Sequence, residues 1–537
     1  MIDCDSRYSM QPTPLKERKG SSPVQSDSAG WLHWLTVLLI LCAGTLLRFR
    51  CLACKPFWFD ECFSVEVARI DWRNFLHLMW WREANMSLYY ILLRIWLLCG
   101  QNPSFIRSLS VILSTATVLA VYWVAKQLYD HRVALVAAAL FACNAYSVRY
   151  AQEARSYALF LLLATLSSGF LIAWVQRRFV NLTSQLVTSS SEAVPRWGYL
   201  AASVLAVYAH FYALLLVVSH WIVVERILGP DEELARSRSM RHAWRIIGVA
   251  VAPLLIFIAK TGAGPIRWIQ RPGLHDMVEF LEHMAGGSWA LLLIYAAGSV
   301  AALVPLGKRL WKSGQPWEVW RGQFLLVWFT FPIGLTVLLS FARPVFLARY
   351  MILCLPALLV LAGAGLSQLN RWLLPPALVA VLVLGLQGTA LVYSHDLDNE
   401  RDASGTATNY ILDHAQPGDA VLFHIAETRI PYEFFHSLRA GTNTASPEFT
   451  SPSGPEILFP RHGAGLDYRD FTGKPTADFV GTAVEGHPRI WVMLMHNGTT
   501  DKPDATTLML MQVLPGSFSI MERWQFAKVE VLLYSRR

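Results

Sequence analysis

Residues 197–226 read WGYLAASVLAVYAHFYALLLVVSHWIVVER, a stretch of 30 residues almost free of charge. One helix of that length rises about 45 Å at 1.5 Å per residue, far more than a hydrocarbon core of about 30 Å requires. Charge decides how it is used. Arg177, Arg178 and Arg196 precede it, and Arg226, Arg236, Arg238, Arg241 and Arg245 follow it. Lys and Arg gather on cytoplasmic loops. Both ends are therefore cytoplasmic, and the chain crosses twice with a tight turn near His210-Phe211-Tyr212. That turn brings His210 to the outer surface.

Working outward, the apolar run Trp31 to Leu47 follows a polar segment, residues 1–30, that carries Ser, Pro and a Lys16-Glu17-Arg18-Lys19 cluster. No small-residue cleavage site follows the run, so it reads as a signal anchor behind a disordered cytoplasmic tail. Further runs long enough to span lie at 105–126, 133–149, 155–176, 245–260, 288–306, 322–341, 349–366 and 373–393. Ser87 to Cys99 is apolar but short and reads as a helix on the membrane surface. About eleven spans result, with the N-terminus inside. Lys126, Arg132, Lys308, Arg309, Lys312, Arg321 and Arg371 then fall on cytoplasmic loops, and everything after Ser394 falls outside. The expected organisation is a tail (1–30), an all-α multi-spanning membrane domain (31–393, with a first outer loop at 48–104) and a small extracytoplasmic α/β domain (394–537). Strands are predicted in that last part at Ala420–Ile425, Ile490–Met495, Phe518–Phe526 and Val529–Tyr534, with a long Gly/Pro-rich loop between Ala440 and Pro475.

Composition agrees. Of 537 residues, 54% are hydrophobic and only 16% charged, against about 25% charged in soluble domains, and mean hydropathy is +0.36. A cytosolic enzyme, a disordered chain and a fibre are excluded. The 21 Trp and 18 Tyr suit two membrane–water interfaces. The net charge of +8 reads as topology, and no basic helix or repeat points to nucleic acid. The eight Cys are scattered, so they form no disulfide framework; Cys51, Cys54 and Cys62 stand where a local disulfide could form on an oxidising side, packing thiols being the alternative.

On the outer face the chemistry concentrates. Lys55-Pro-Phe-Trp-Phe-Asp60-Glu61 puts two adjacent carboxylates beside the bilayer, where ionised groups need partners. Arg149-Tyr-Ala-Gln-Glu153-Ala-Arg155-Ser-Tyr157 occupies the next outer turn, Arg267 and Arg271 another, and Arg343 and Arg349 flank Pro344 in a short one. Several Arg on the side that a positive-inside chain avoids suggest an anionic group held there, and the guanidinium fork suits phosphate. His210 is a candidate ligand contact, with a satisfied interior histidine as the alternative.

These segments carry a resemblance. Phe57-Trp-Phe-Asp60-Glu61, Ser87-Leu-Tyr-Tyr-Ile-Leu-Leu, Arg149 to Leu159, His210-Phe-Tyr-Ala-Leu and Arg349-Tyr-Met-Ile-Leu-Cys-Leu-Pro356, in this order, resemble the dolichyl-phosphate-mannose-protein mannosyltransferase-like family of polyprenyl-phosphate-sugar glycosyltransferases over roughly residues 31–393. The chain departs from the family at Met86-Ser87, where Pro-Pro or His-Pro usually precedes Leu-Tyr-Tyr. The resemblance implies a GT-C membrane enzyme, a hexosyl- or pentosyltransferase acting with inversion, whose first-loop carboxylate, here Asp60, is catalytic. Glu61 is expected to orient the acceptor or hold a partner of Asp60, and Arg155, Arg343 and Arg349 to bind the lipid phosphate. Glu153 is expected to pair with Arg155 or to join Asp60 around a divalent cation, a cofactor the residues leave open. The partners implied are a polyprenyl-phosphate sugar donor, a lipid, polysaccharide or protein acceptor, and the bilayer, with a bacterial inner (plasma) membrane as the location. A lipid-linked-sugar flippase and a ligase or polymerase using a lipid diphosphate are the competing readings.

Overall fold

The computed structural model describes residues 27–81, 83–184, 193–227, 238–262, 269–310, 316–394, 401–441, 454–459, 473–495, 498–499 and 502–537. Residues 1–26 of the expected tail, Arg267 and most of the 440–475 loop lie outside them. Contacts divide the chain between Leu39 and Ile40, and everything below concerns Ile40–Arg537.

Among the described residues, seven helices are long and apolar enough to cross a membrane, or nine if two bent pairs each count as one span. The first is α1 (Asp27–Phe49). Three shorter helices, α2 (Phe59–Arg69), α3 (Trp72–Trp81) and α4 (Ser87–Trp96), fill the loop after it. Of these only α4 was expected; its Tyr89, Tyr90 and Leu93 are buried, whereas α3 exposes Trp72, Leu76, Trp80 and Trp81. Then come α5 (Pro103–Leu128), the pair α6 (His131–Cys143) and α7 (Ala145–Ala151) bent by 59°, and α8 (Tyr157–Ser184). The opening stretch forms α9 (Ala193–Ala209) and α10 (Ala213–Ile222), broken at His210 to Tyr212 as charge required. The count differs from eleven here: by length, neither α9 nor α10 qualifies as a span. Next are α11 (Arg238–Thr261), α12 (Leu274–Met284) bent 82° against α13 (Trp289–Leu310), α14 (Pro316–Ala342), a tight turn Ala348–Cys354 leading into α15 (Leu355–Leu366), and α16 (Leu374–Ser394).

Backbone broken at membrane depth must find its hydrogen bonds elsewhere. At the α6–α7 bend Arg48 supplies them. Its guanidinium, fully buried, donates to Ala142 O (2.8 Å), Phe141 O (3.2 Å) and Ser147 Oγ (2.8 Å). Helices approach closely through small residues: a Cβ on Gly365 would collide with Gly298 O, and one on Gly363 would lie 3.2 Å from Ala137 N.

After α16 the chain forms α17 (Ser404–His414), β1 (Ala420–Phe423), α18 (Arg429–Ala440), β2 (Glu456–Phe459), α19 (Ala477–Ala483), β3 (Arg489–Met495), the small ladder β4–β5, α20 (Ala505–Val513), β6 (Phe518–Phe526) and β7 (Val529–Arg536). The five-stranded sheet runs β2-β1-β3-β7-β6. β1 is parallel to β2 and β3, and β7 is antiparallel to β3 and β6. The four strands expected are present, whereas β2 lies in the stretch read as loop, where Pro455 and a run of four residues hid it. Alternation along the strands gives each face its own core. Leu422, Ile490, Val492 and Leu532 pack under α19 and α20, whereas Phe423, Trp491, Met493 and Val531 pack under α17 and α18.

Candidate active site

Helix α2 carries both first-loop carboxylates, and successive residues on a helix point about 100° apart. Asp60 and Glu61 therefore meet different surroundings. Phe57 and Trp58, both buried, hold the approach: Phe57 stacks on Phe434 of α18 at 4.8 Å. Trp58 occupies the N-cap position without an acceptor to offer. Two carboxylates act in its place. Glu61 Oε2 accepts from Trp58 N at 3.5 Å, and Asp402 Oδ2, from the segment after the last span, accepts from Phe59 N at 2.8 Å.

Glu61 is sealed. Its side chain has no exposure, and Arg107 donates to it twice, Nε to Oε1 at 2.8 Å and Nη2 to Oε2 at 2.6 Å. Ala154 N adds a bond of 2.8 Å to Oε1, and Arg401 Nη1 lies 3.5 Å from Oε2. Burial pushes this carboxyl up, but Arg107, Arg401 and the Ala154 amide outweigh it and hold the group below the usual carboxylate range. Against the expectation of an acceptor-orienting carboxylate, Glu61 faces inward with its oxygens taken.

Asp60 faces the other way, with a fifth of its side chain (20%) exposed. Arg155 Nη2 lies 3.4 Å from Asp60 Oδ2, and Nη1 reaches Asp60 O at 3.3 Å and Ser64 Oγ at 3.4 Å. The expected Glu153–Arg155 pair is not what forms. Glu153 Oε1 instead accepts from Arg401 at 3.1 Å and lies 3.9 Å from Arg149 Nε. That leaves Arg155 to Asp60. It also gives Glu153 cationic neighbours, an environment unsuited to a divalent ion, and among the described residues no group of three or more His, Cys, Asp or Glu gathers as metal ligands would.

Beyond Arg155 lies an aromatic pocket. His210 is buried, stacked on Phe160 at 5.0 Å and 4.6 Å from the ring of Tyr350, with its Nδ1 accepting from Tyr212 N at 3.2 Å. Its Nε2 and the nearby Tyr157 hydroxyl are buried with no hydrogen-bond partner among the described protein groups. Buried polar atoms without partners call for an explanation such as a ligand or bound water. Arg349 is close enough to bear on the charges of Arg155, Tyr157 and His210. On its other side Arg349 lines a cleft of about 400 Å³ with Tyr150, Arg271, Asp276, Glu279 and His283. Arg343 is exposed at the end of α14, and no ion pair or hydrogen bond joins its side chain to the cluster among the described residues.

Two further acids face Asp60. Glu83, in the first loop, has its carboxyl raised to about 7 by burial, with Arg155 opposing and Asp60 adding to the shift. Glu427, in the C-terminal part, is raised to about 6 by burial, with Lys474 opposing and Asp60 adding. Neither was singled out from the sequence, nor were Arg107, Arg401 and Asp402. None of them stands in a pattern, and their partners are tens to hundreds of residues away. Cys51 and Cys54 form a disulfide, and Cys62 is a buried free thiol.

The fold is that of GT-C glycosyltransferases: mostly helical, with a small sheet near the C-terminus. No family model matches the sequence, and no curated protein matches it. Solved structures do. ArnT from Cupriavidus metallidurans in the apo state superposes with a TM-score of 0.58 at 13% identity, covering 95% of this chain and 98% of that one. The same protein bound to undecaprenyl phosphate gives 0.55 at 13% identity, over 94% and 98%. The Archaeoglobus fulgidus oligosaccharyltransferase in its apo form gives 0.50 at 10% identity, over 87% of this chain and 70% of that one. At these identities the likeness is one of fold.

Proposed function

We propose that the chain is an integral-membrane glycosyltransferase that moves a sugar from a polyprenyl phosphate to an acceptor hydroxyl on the outer face of the membrane. The observation that carries this reading is the division between two neighbouring carboxylates: Glu61 is locked inside an ion-pair network, whereas Asp60 is partly exposed, salt-bridged to Arg155 and close to buried polar atoms without partners. The occurrence of the same fold in a protein that binds undecaprenyl phosphate supports the donor class.

In this mechanism Asp60 takes the proton of the acceptor hydroxyl, and the acceptor oxygen attacks the anomeric carbon. The bond from that carbon to the phosphate oxygen breaks, its electron pair leaving with the phosphate. Arg155 and Arg349 neutralise the oxyanion that departs, in surroundings where fixed charge acts strongly. One displacement with one base inverts the sugar carbon, and a general base of this kind contributes about 10²–10⁴-fold. Glu61 serves by shaping the loop, and Arg343 has no part.

The reading includes eleven crossings, with α9 and α10 as two short ones, a cytoplasmic N-terminus, a bacterial inner membrane, and residues 394–537 as a separate extracytoplasmic domain. The Cys51–Cys54 disulfide supports an oxidising outer side for the first loop. A hexose or pentose as the transferred sugar and kinship with the mannosyltransferase-like family belong to the same proposal.

The test measures polyprenyl phosphate released by the purified chain from a panel of polyprenyl-phosphate sugars, for wild type and Asp60→Asn. Release falling by about 10²-fold or more in the variant is the expected result. Release unaffected by the variant overturns the site, and no release together with donor movement across liposomes makes the protein a transporter.

A further inference from the structure

We infer that Arg401 and Asp402 are positioning residues, through which the C-terminal α/β part holds helix α2 so that Asp60 faces its substrate; the inference rests on the proposed role of Asp60. They follow the last span by a few residues and lead directly into α17. Asp402 has two bonds: Oδ1 accepts from Ser404 N at 3.0 Å, inside its own part, and Oδ2 accepts from Phe59 N at 2.8 Å, across 343 residues. Ala403 N bonds to Ala527 O at 2.9 Å, so the dipeptide is fastened to the β6–β7 turn. Arg401 reaches three groups of the opposite side: Glu61 Oε2 at 3.5 Å, Glu153 Oε1 at 3.1 Å and Pro56 O at 3.3 Å. Phe59 itself packs against the sheet core beneath α17 and α18.

The need for this arrangement is local. A helix begins with unbonded N–H groups, and Ser, Thr, Asp or Asn at the N-cap ordinarily satisfies one. Trp58 holds that position here. The amide of Phe59, one residue before Asp60, therefore depends on a carboxylate that only the tertiary fold delivers. Arg401 meanwhile bridges the two acids that flank Arg155 in space and sequence. Loss of either residue frees the first turn of α2, and with it the direction of Asp60. Small misplacement at a reacting group can cost about 10²-fold in rate.

The experiment compares Asp402→Ala and Asp402→Asn for polyprenyl phosphate release and for amide exchange in the peptide covering Phe57–Ser64. The Ala variant is expected to lose about 10–100-fold in kcat with donor KM within about twofold of wild type, the signature of an interaction that matters in the transition state alone. The Asn variant keeps an oxygen acceptor for the Phe59 N–H and is expected to restore most of kcat. Exchange of the α2 peptide should rise in the Ala variant and return towards wild type in the Asn variant, with the sheet peptides unchanged. Equal impairment of the Ala and Asn variants, or an Ala variant with wild-type kcat and exchange, overturns the inference. Should the Ala variant not accumulate, Arg401→Gln provides the same exchange readout, and an unchanged α2 peptide there overturns it. If the wild-type chain releases no polyprenyl phosphate, the proposed function has failed, and the exchange measurements alone decide whether this dipeptide holds α2.

Discussion

Glu61→Gln removes a single charge from the most densely bonded carboxylate of the first loop. Arg107 directs two donors at it from 2.6 and 2.8 Å, Ala154 N a third at 2.8 Å, and Arg401 stands 3.5 Å away. The remaining donors of Arg107 go to the carbonyls of Leu52, Lys55 and Pro56, which shape the turn before α2 but carry no charge. An amide keeps one acceptor and turns an NH2 group towards guanidinium donors. Arg107, only 1% exposed, is then left without its counter-charge. Breaking a buried pair by removing one partner costs about 3–5 kcal/mol. A loss of this size lowers the unfolding midpoint by on the order of 5–10 °C. The assay is thermal unfolding in detergent followed by Trp fluorescence, on wild type, Glu61→Gln, Arg107→Met and the double variant. Removing both partners takes away the orphaned charge, so the double variant should be less destabilised than the sum of the singles, with a coupling of about 2 kcal/mol or more. A Glu61→Gln protein with the wild-type midpoint refutes the reasoning. If that protein also turned over no donor, Glu61 would belong to the chemistry and not to the support.

Other outcomes follow from the same contacts. Glu66 is buried beside Arg69, 2.8 Å away, and faces the charge of Glu433; burial raises its carboxyl from 4.5 to about 7, with Arg69 opposing and Glu433 adding. The folded state then holds a proton that the unfolded chain has released, so stability falls as pH rises between 4.5 and about 7. The full shift corresponds to about 3 kcal/mol, and Glu66→Gln should show a shallower fall in midpoint from pH 5 to 8 than wild type. Gly365→Ala places a methyl against Gly298 O of α13; overpacking of this kind costs about 1–3 kcal/mol, read as a lowered midpoint with D60-dependent release still present at low temperature. Alkylation of the unfolded protein without reductant should leave Cys51 and Cys54 unmodified and label Cys62, Cys143 and Cys354; labelling of Cys51 would refute the disulfide.

Much of this architecture is legible in the chain because its causes are local. A bilayer demands some 20 apolar residues per upright helix, and runs of that kind are visible one by one. The break at His210 followed from Arg on both flanks of a stretch too long for one crossing. The strands Val421–Phe423 and Ile490–Met495 announced themselves as short apolar runs, and both turned out buried on both faces. Helix α3 and strand β2 escaped notice, the first because WRNFLHLMWW mixes polar and apolar residues in a loop, the second because it is four residues long.

The site divides along the same line. Asp60, Arg155, His210 and Arg349 stood out because an ionisable or polar residue near the bilayer is conspicuous by type alone, and they do gather. Their roles relative to one another were decided elsewhere. Asp60 and Glu61 are adjacent and chemically alike, and only the direction of a helix face makes one solvent-touched and the other an anchor. Arg155 pairs with Asp60 because Arg401, 248 residues beyond Glu153, occupies Glu153. Hydrophobicity is a property each segment carries alone and can be summed along the chain. Charge pairing depends on which distant segment arrives within about 4 Å, and only the folded chain brings Arg401 and Asp402 to the start of helix α2.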